Sequence, residues 1–484
     1  MESLQRTHNR GSISTGAYQI ENSVKLESDN TEFFIKNTMG TTGNRKTWTV
    51  SMWCKKTEEA ASAGLQTLYA ANVSGNEGVL IRFGTENAAA EDALQVDIGA
   101  GSTNYRNYTW GAFRDSSAWY HIVVACDTTQ SDSTNRLKIY VNGVYISYTA
   151  YYGRADPALN FDTSNNLQGA FQSVGAYETQ STVYGKFNGY IADAYNIDGT
   201  ALEPTAFGEF SPEGIWRPIA YTGSYGTNGF FLEFKNASSM GADSSGEGNS
   251  PSVQNVNQVD QSSDTPTNNF CTLNPLVKFK YGTNAGGMTN GATVYANTTG
   301  GGVGGAFGTF AVTAGKWYWE MKLTEQVSHY IGISAYPDDG DRIDNHSDPH
   351  QINSSFVFNI SAARIEYVNN GTVSQGSLDA FNDLHSVGMI IGIALNMDDN
   401  QINIYGNGSL QTGVQNSSIY DASNKMVVPF HASINDEVQY NFGGYSAWLP
   451  SSVESDENGY GTFEYAPPSG YYALCSKNLA EFGG

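Results

Sequence analysis

Two stretches of the chain gather flat rings beside cations. In "STNYRNYTWGAFRD" Tyr105, Tyr108, Trp110 and Phe113 are interleaved with Arg106 and Arg114, and "SYTAYYGRAD" adds Tyr148, Tyr151, Tyr152 and Arg154. Rings with polar tips stack on sugar faces and fill interfaces between proteins. The candidate ligand- or interface-binding residues are therefore Tyr105, Arg106, Tyr108, Trp110, Tyr151, Tyr152 and Arg154. The competing role for the same rings is packing inside a sandwich or against a neighbouring subunit.

A metal would need oxygen ligands, and "YPDDGDRIDNHSDPH" supplies Asp338, Asp339, Asp341 and Asp344, with Asp348, His346 and His350 close by. Such a set suits Ca²⁺, but its spacing is not that of an EF-hand, and a solvated acidic loop is the plainer reading. Ca²⁺ is the one candidate cofactor. Glycoside hydrolysis needs two carboxylates flanking the scissile bond, and no Glu-x-Asp-x-Glu arrangement occurs. Glu320 in "WYWEMKL" stands alone on its strand. His121 has no Gly-x-Ser-x-Gly nucleophile to serve and reads as a hydrogen-bonded histidine on a sheet face. The expectation is a protein that is not an enzyme.

Those residues must be carried by strands. The chain has 484 residues, with Gly 53, Tyr 30 and Phe 23 and only 15% charged residues, the composition of a β-rich, turn-rich chain long enough for two or three domains. "TWTVSMWCK" alternates in the period of a strand, and "RLKIYVNGVYISY" places Asn142-Gly143 between two apolar halves, a hairpin signal. The formal net charge of −23 opposes phosphate neutralisation, so nucleic acid is not an expected partner. Cys54, Cys126, Cys271 and Cys475 share no metal-type spacing and read as reduced thiols. The opening "MESLQRTHNRGSIST" lacks the apolar core of a secretory signal, and no run is long enough to span a membrane as a helix. Synthesis in a cytoplasm without membrane insertion is expected.

Four sections follow. Residues 1–32 form a polar arm with Arg6, His8 and Arg10, expected to dock on a partner or thread between subunits. Residues 33–210 read as a first antiparallel sandwich and 211–276 as a Gly/Ser/Asn-rich linker, in which "NGFFLEF" could form a strand. Residues 277–484 read as a second sandwich, built from "GKWYWEMKL", "HYIGISAY", "MIIGIALNMDDNQINIYGNG" and "VVPFHASINDEVQYNFG". The fold class is all-β, two β-sandwiches in tandem joined by that linker.

The first sandwich resembles the laminin-G-like or concanavalin-A-like jelly-roll family through "TWTVSMWCK", "AWYHIVVACDTTQSDSTNRLKIYVNG" and the closing "FNGYIADAYNIDG". The second is similar to a SPRY domain through "GKWYWEMKL", "HYIGIS", "IIGIALNMDDNQINIYGNG" and "VVPFHASINDEVQYNFG". These resemblances imply that the sandwiches are jelly rolls. "GTALEPTAFGEF", "YTGSYGTNGFFLEF", "DTPTNNFCTLNPL" and "GYYALCSKNLAEF" resemble segments of structural proteins of tailed bacteriophages of marine and cyanobacterial hosts. That resemblance implies a non-enzymatic protein on the virion exterior, a tail- or fibre-associated adhesion component. Its implied partners are other virion proteins, further copies of itself, and a host surface glycan or protein. The alternatives are a capsid decoration protein and, less favoured, a glycan depolymerase.

Overall fold

The computed structural model describes residues 18–36, 39–58, 64–73, 78–84, 92–100, 103–146, 155–179, 182–281, 291–295, 303–325, 328–335, 355–360, 364–369, 372–377, 386–411, 417–418, 426–434 and 437–483. The chain divides into two compact units, one of residues 14–267 and one formed mainly by residues 268–484. Both are built of strands.

In the first unit, one sheet runs in the order β10 (Val144–Tyr145), β9 (Leu137–Val141), β8 (Tyr120–Asp127), β3 (Thr47–Lys56), β14 (Gly189–Asp198), β1 (Ser23–Leu26) and β19 (Gln261–Ser262), with β17 (Phe230–Leu232) also paired to β14. The facing sheet runs β18 (Ser252–Gln254), β2 (Phe33–Lys36), β11 (Phe171–Val174), β4 (Gln66–Asn72), β5 (Gly78–Phe83), β6 (Ala93–Ala100) and β7 (Thr103–Ala112). Two hairpins complete it, β12 (Tyr177–Thr179) with β13 (Thr182–Tyr184), and β15 (Gly208–Phe210) with β16 (Trp216–Pro218).

The alternation read in "TWTVSMWCK" sends Trp48, Val50, Met52 and Cys54 into the core between the sheets, where they meet Ile81, Val96 and Ile139. Each such burial stabilises by about 1.5–3 kcal/mol. The predicted hairpin forms, with Asn142 and Gly143 at φ 48° and 77°, the left-handed pair that its two-residue turn requires. A side chain at 143 would also collide with the Trp216 ring, 2.3 Å from the place a Cβ would take.

The segment expected as a linker is built into this unit as far as Thr267. It contributes β16 to β19, and β17, β18 and β19 pair with β14, β2 and β1. Tyr221, Tyr225 and Phe231, together with the preceding Phe207, pack on Val123, Tyr140, Tyr195 and Ile197, covering the outward face of the first sheet. As a result β3 is buried on both faces. The polar composition of 211–267 serves hydrogen bonding here. Asp243 accepts from the backbone of Phe231, Ser245 and Asn249, and Asp264 forms a buried ion pair with Lys55 at 2.8 Å.

In the second unit, one sheet runs β20 (Leu273–Tyr281), β22 (Val303–Gly308), β32 (Val427–Ile434), β24 (Ser328–Ala335), β25 (Ser355–Asn359), β26 (Arg364–Asn369) and β27 (Thr372–Ser377). The other runs β21 (Thr293–Tyr295), β33 (Glu437–Asn441), β23 (Lys316–Leu323), β28 (Ile390–Asn396), β29 (Gln401–Gly406) and β30 (Ser409–Leu410), with β31 (Ser417–Ser418) and β34 (Tyr472–Ala473) at its margins. Trp317, Trp319 and Met321 from β23 meet Ile331, Phe356 and Ile365 across the core. On the outward side Tyr318 packs with Phe463, Ala473 and Cys475, under a segment that ends in helix α1 (Ser476–Phe482). No disulfide links the four cysteines, all of which are buried.

Candidate functional site

Side chains alternate along a strand, so the register of β4 to β7 fixes which residues share the outward face of the second sheet in the first unit. Arg82 stands opposite Gln95 and Gln95 opposite Tyr108, while Leu80 stands opposite Asp97 and Asp97 opposite Arg106. The intervening residues Ile81, Val96 and Ile98 point into the core. A polar row thus crosses to β7, the last strand of that sheet.

Asp97 organises the row. Its carboxylate is buried, accepts from Gln95 Nε2 at 2.9 Å on each oxygen, and receives Arg106 Nε at 3.2 Å and Asn104 Nδ2 at 3.4 Å. Arg106 keeps a side-chain exposure of 34% against 0% for Asp97, so the guanidinium is held by the carboxylate and still reaches solvent. Tyr108 is buried. Burial pushes its phenol up, while the charge of Arg106 and a hydrogen bond from it act in the opposite direction.

The same face leaves acceptors without donors. Thr67 Oγ1, Asn72 Oδ1, Gln95 Oε1 and Asn104 Oδ1 are buried with no hydrogen-bond partner among the described residues. Buried polar atoms are normally paired, and each unpaired one costs about 1–3 kcal/mol. Thr67 Oγ1 lies beside Gly185, and Asn72 Nδ2 is tied to the Glu178 carbonyl at 2.9 Å, while Gln95 Oε1 and Asn104 Oδ1 stand next to Arg106 at the β7 edge.

The predicted residues divide. Arg106 and Tyr108 belong to this face. Tyr105 faces the other way, packed edge-on against Phe161 with ring centroids 5.1 Å apart. Trp110 lies on β7, and its side chain is outside the described residues, as are Tyr151, Tyr152 and Arg154. The residue after Arg154 is nevertheless tied to β7: Asn107 Nδ2 donates to the Ala155 carbonyl at 3.0 Å, and Ala155 N returns a bond to Asn107 Oδ1 at 3.1 Å. Gln95, Asp97 and Asn104 were missed by sequence reasoning. The spacing of Gln95 and Asp97 in "LQVDIG" is the signal, since only residues two apart on a strand share a face.

The Ca²⁺ candidates Asp338, Asp339, Asp341 and Asp344 lie outside the described residues, and so does the arm with Arg6, His8 and Arg10. Among the described residues no group of three or more His, Cys, Asp or Glu is placed to hold a metal. Glu320 is buried and accepts from the backbone N–H groups of Glu464 and Tyr465 at 2.8 and 2.9 Å and from the Tyr318 hydroxyl at 3.1 Å. Burial pushes it up to about 7, against those hydrogen bonds. It is a clasp for the segment lying over β23. His121 is likewise held on both ring nitrogens, by Trp216 and Ser51.

No helix among the described residues is long and apolar enough to cross a membrane. No curated protein sequence matches the chain. Among solved structures it is similar to the SPRY domain of human HERC1, at 16% identity over 37% of this chain and 99% of that one, with a TM-score of 0.26. It is also similar to a heptameric SAP-like pentraxin from Limulus polyphemus, at 14% identity over 38% of this chain and 80% of that one, with a TM-score of 0.28. A third is a protein of Bacteroides ovatus described as a candidate carbohydrate-binding protein, at 13% identity over 49% of this chain and 58% of that one, with a TM-score of 0.29. Residues 28–196, within the first unit, match the family model described as the Concanavalin A-like lectin/glucanases superfamily.

Proposed function

We propose that the protein is a non-catalytic glycan-binding component of a virion exterior, associated with the tail or fibre of a tailed phage, and that the outward face of β4 to β7 holds the glycan. The observation that carries the binding role is the half-exposed Arg106 guanidinium, held by the buried Asp97 carboxylate, with the unpartnered carbonyl oxygens of Gln95 and Asn104 beside it. Sugar hydroxyls are donors that such acceptors can bind, and Arg106 supplies a donor at the solvent edge.

The non-catalytic part of this reading rests on the same strands. The outward positions of β6 are Gln95, Asp97 and Gly99, so one carboxylate stands between an amide and a glycine. Retaining and inverting hydrolysis both need a second carboxyl, at roughly 5–5.5 or 6.5–9.5 Å. Both Asp97 oxygens are already engaged. The virion setting rests on the resemblance of "GTALEPTAFGEF" and the related segments to phage structural proteins. Binding to a host surface would then be weak per copy and multiplied by repetition.

The test is a glycan array with the full-length chain and its Arg106→Ala and Gln95→Ala variants. Binding that both variants lose, with no new reducing ends in the bound polysaccharide, is expected. Absence of any glycan bound, or release of reducing ends, overturns the reading. Immunogold labelling of intact particles tests the setting: label at the tail is expected, label spread over the shell marks a decoration protein instead, and unlabelled particles remove the virion setting.

A further inference from the structure

Three lysines of the first unit are almost completely buried, Lys25, Lys55 and Lys56. Lys55 is paired with Asp264 and Lys56 with Asp92. Lys25 faces a neutral carboxamide. Its Nζ donates to Asn188 Oδ1 at 3.2 Å and to the Leu26 carbonyl at 2.8 Å, under the ring of Tyr190 at 5.6 Å. The other end of that carboxamide is engaged too, because Asn188 Nδ2 donates to Glu58 Oε2 at 2.8 Å. Amine, carboxamide and carboxyl thus stand in sequence, with Lys25 and Asn188 both closed to solvent.

Backbone register enforces this line. Leu26 stands opposite Gly189 on β1 and β14, and Gly189 opposite Lys56 on β14 and β3. Thr57 N donates to the Asn188 carbonyl at 3.2 Å, which brings Glu58 alongside. Gly189 has φ 155°, and a Cβ there would lie 2.2 Å from the Lys55 carbonyl. The close approach of the three strands at this point needs glycine.

We propose that Lys25 and Asn188 join spontaneously in an intramolecular isopeptide bond, with Glu58 carrying the proton. The neutral Nζ adds its lone pair to Cγ of Asn188, and the C=O π pair moves onto Oδ1. Glu58 takes one Nζ proton and delivers it to Nδ2. The Cγ–Nδ2 bond then breaks with its electron pair, the carbonyl re-forms, and ammonia leaves. One C–N bond forms and one breaks, nothing is oxidised or reduced, and no further reagent is required.

Two features favour the step. Burial lowers the proton affinity of Lys25 against the pull of Glu27, Glu32, Asp260 and Glu58, which makes the amine available as a nucleophile. Nζ is already held 3.2 Å from Oδ1 of the Asn188 carboxamide, so the amine and the acyl group it would attack are brought together without a diffusive encounter. The product ties β1 to the closing strand β14 across 163 positions of sequence, a loop whose closure strongly restricts the unfolded chain.

The experiment is denaturing intact-mass measurement of the full-length chain, with Lys25→Arg and Glu58→Gln prepared alongside. Expected is a wild-type mass lower by one ammonia than its sequence requires, and a branched peptide that joins the Lys25 and Asn188 segments. Both variants should show their full sequence masses, with circular dichroism checking that Glu58→Gln is folded. A wild-type chain at full sequence mass overturns the proposal even if neither variant folds. An ammonia deficit that maps to any other pair of residues overturns it as well.

Discussion

The indole Nε1–H of Trp216 donates to Nδ1 of His121 at 3.0 Å, while Ser51 Oγ lies 2.9 Å from Nε2 of the same ring. An indole N–H can only donate, so Nδ1 is the accepting nitrogen and the ring proton sits on Nε2, directed at Ser51. A histidine that activates a serine must accept from it. The Ser51–His121 pair is therefore a structural clip that pins β16 onto β8, and burial pushes His121 down to about 3.

Trp216→Phe should strand the buried Nδ1 of His121 without a donor, costing about 1–3 kcal/mol beyond any change in packing. Thermal unfolding of the variant checks the loss. Histidine proton resonances followed from pH 8 to 5 should show an untitrated His121 in the wild type. A normal titration near 6.5 in the wild type would contradict the clip.

Asp264→Ala should be far more damaging. It leaves the Lys55 ammonium buried, and it removes the acceptor of Trp119 Nε1, now held at 3.0 Å. Breaking one side of a buried pair costs about 3–5 kcal/mol. Chemical denaturation should show that loss, and limited proteolysis should show cleavage within 211–267. Unchanged stability would mean that this segment is held by its apolar contacts alone.

Asp193 sits at φ 43° in the bulge of β14, with the hydroxyls of Tyr18 and Tyr195 at 3.0 and 3.3 Å. Burial pushes it up to about 7. Its folded form therefore binds a proton more tightly than the unfolded chain does. The stabilising effect is complete below the ordinary carboxylate range and is lost as pH rises through 7. Asp193→Asn keeps the backbone conformation and deletes the titration. The variant should match the wild type near pH 4 and exceed it near pH 8, by at most about 4 kcal/mol. Melting temperatures across that range decide it, and a difference that shrinks as pH rises would refute the assignment.

Glu320→Ala removes an acceptor shared by two backbone N–H groups and the Tyr318 hydroxyl. The expected cost is about 3 kcal/mol, located in the second unit. Hydrogen exchange should report early opening at Glu464 and Tyr465, with the amides of β3 and β14 unaffected. Uniform protection in the variant would show that the clasp contributes little.

Strand identity was legible because alternation is a local property. The alternation in "TWTVSMWCK" groups Trp48, Val50, Met52 and Cys54 on one face, and the structure turns that face into the core. The Asn142-Gly143 turn was legible for the same reason, since two adjacent residues with easy access to positive φ specify it. The binding face was only half legible. Arg106 and Tyr108 stood out by type, yet Tyr105 turned inward, because one position along a strand reverses the face.

Local pattern was enough to establish an all-β chain and to pick out its longer alternating strands and the Asn142-Gly143 turn. It could not reveal that 211–267 is a working part of the first sandwich, because a Ser- and Asn-rich stretch looks alike whether its polar groups face water or satisfy a buried sheet. Nor could it show that Asp97 meets Arg106, Asp264 meets Lys55, or Lys25 meets Asn188. Those partners are many residues apart or lie on different strands. Their meeting depends on hydrogen-bond register and on which faces become closed to water, and both are settled only when the sheets assemble.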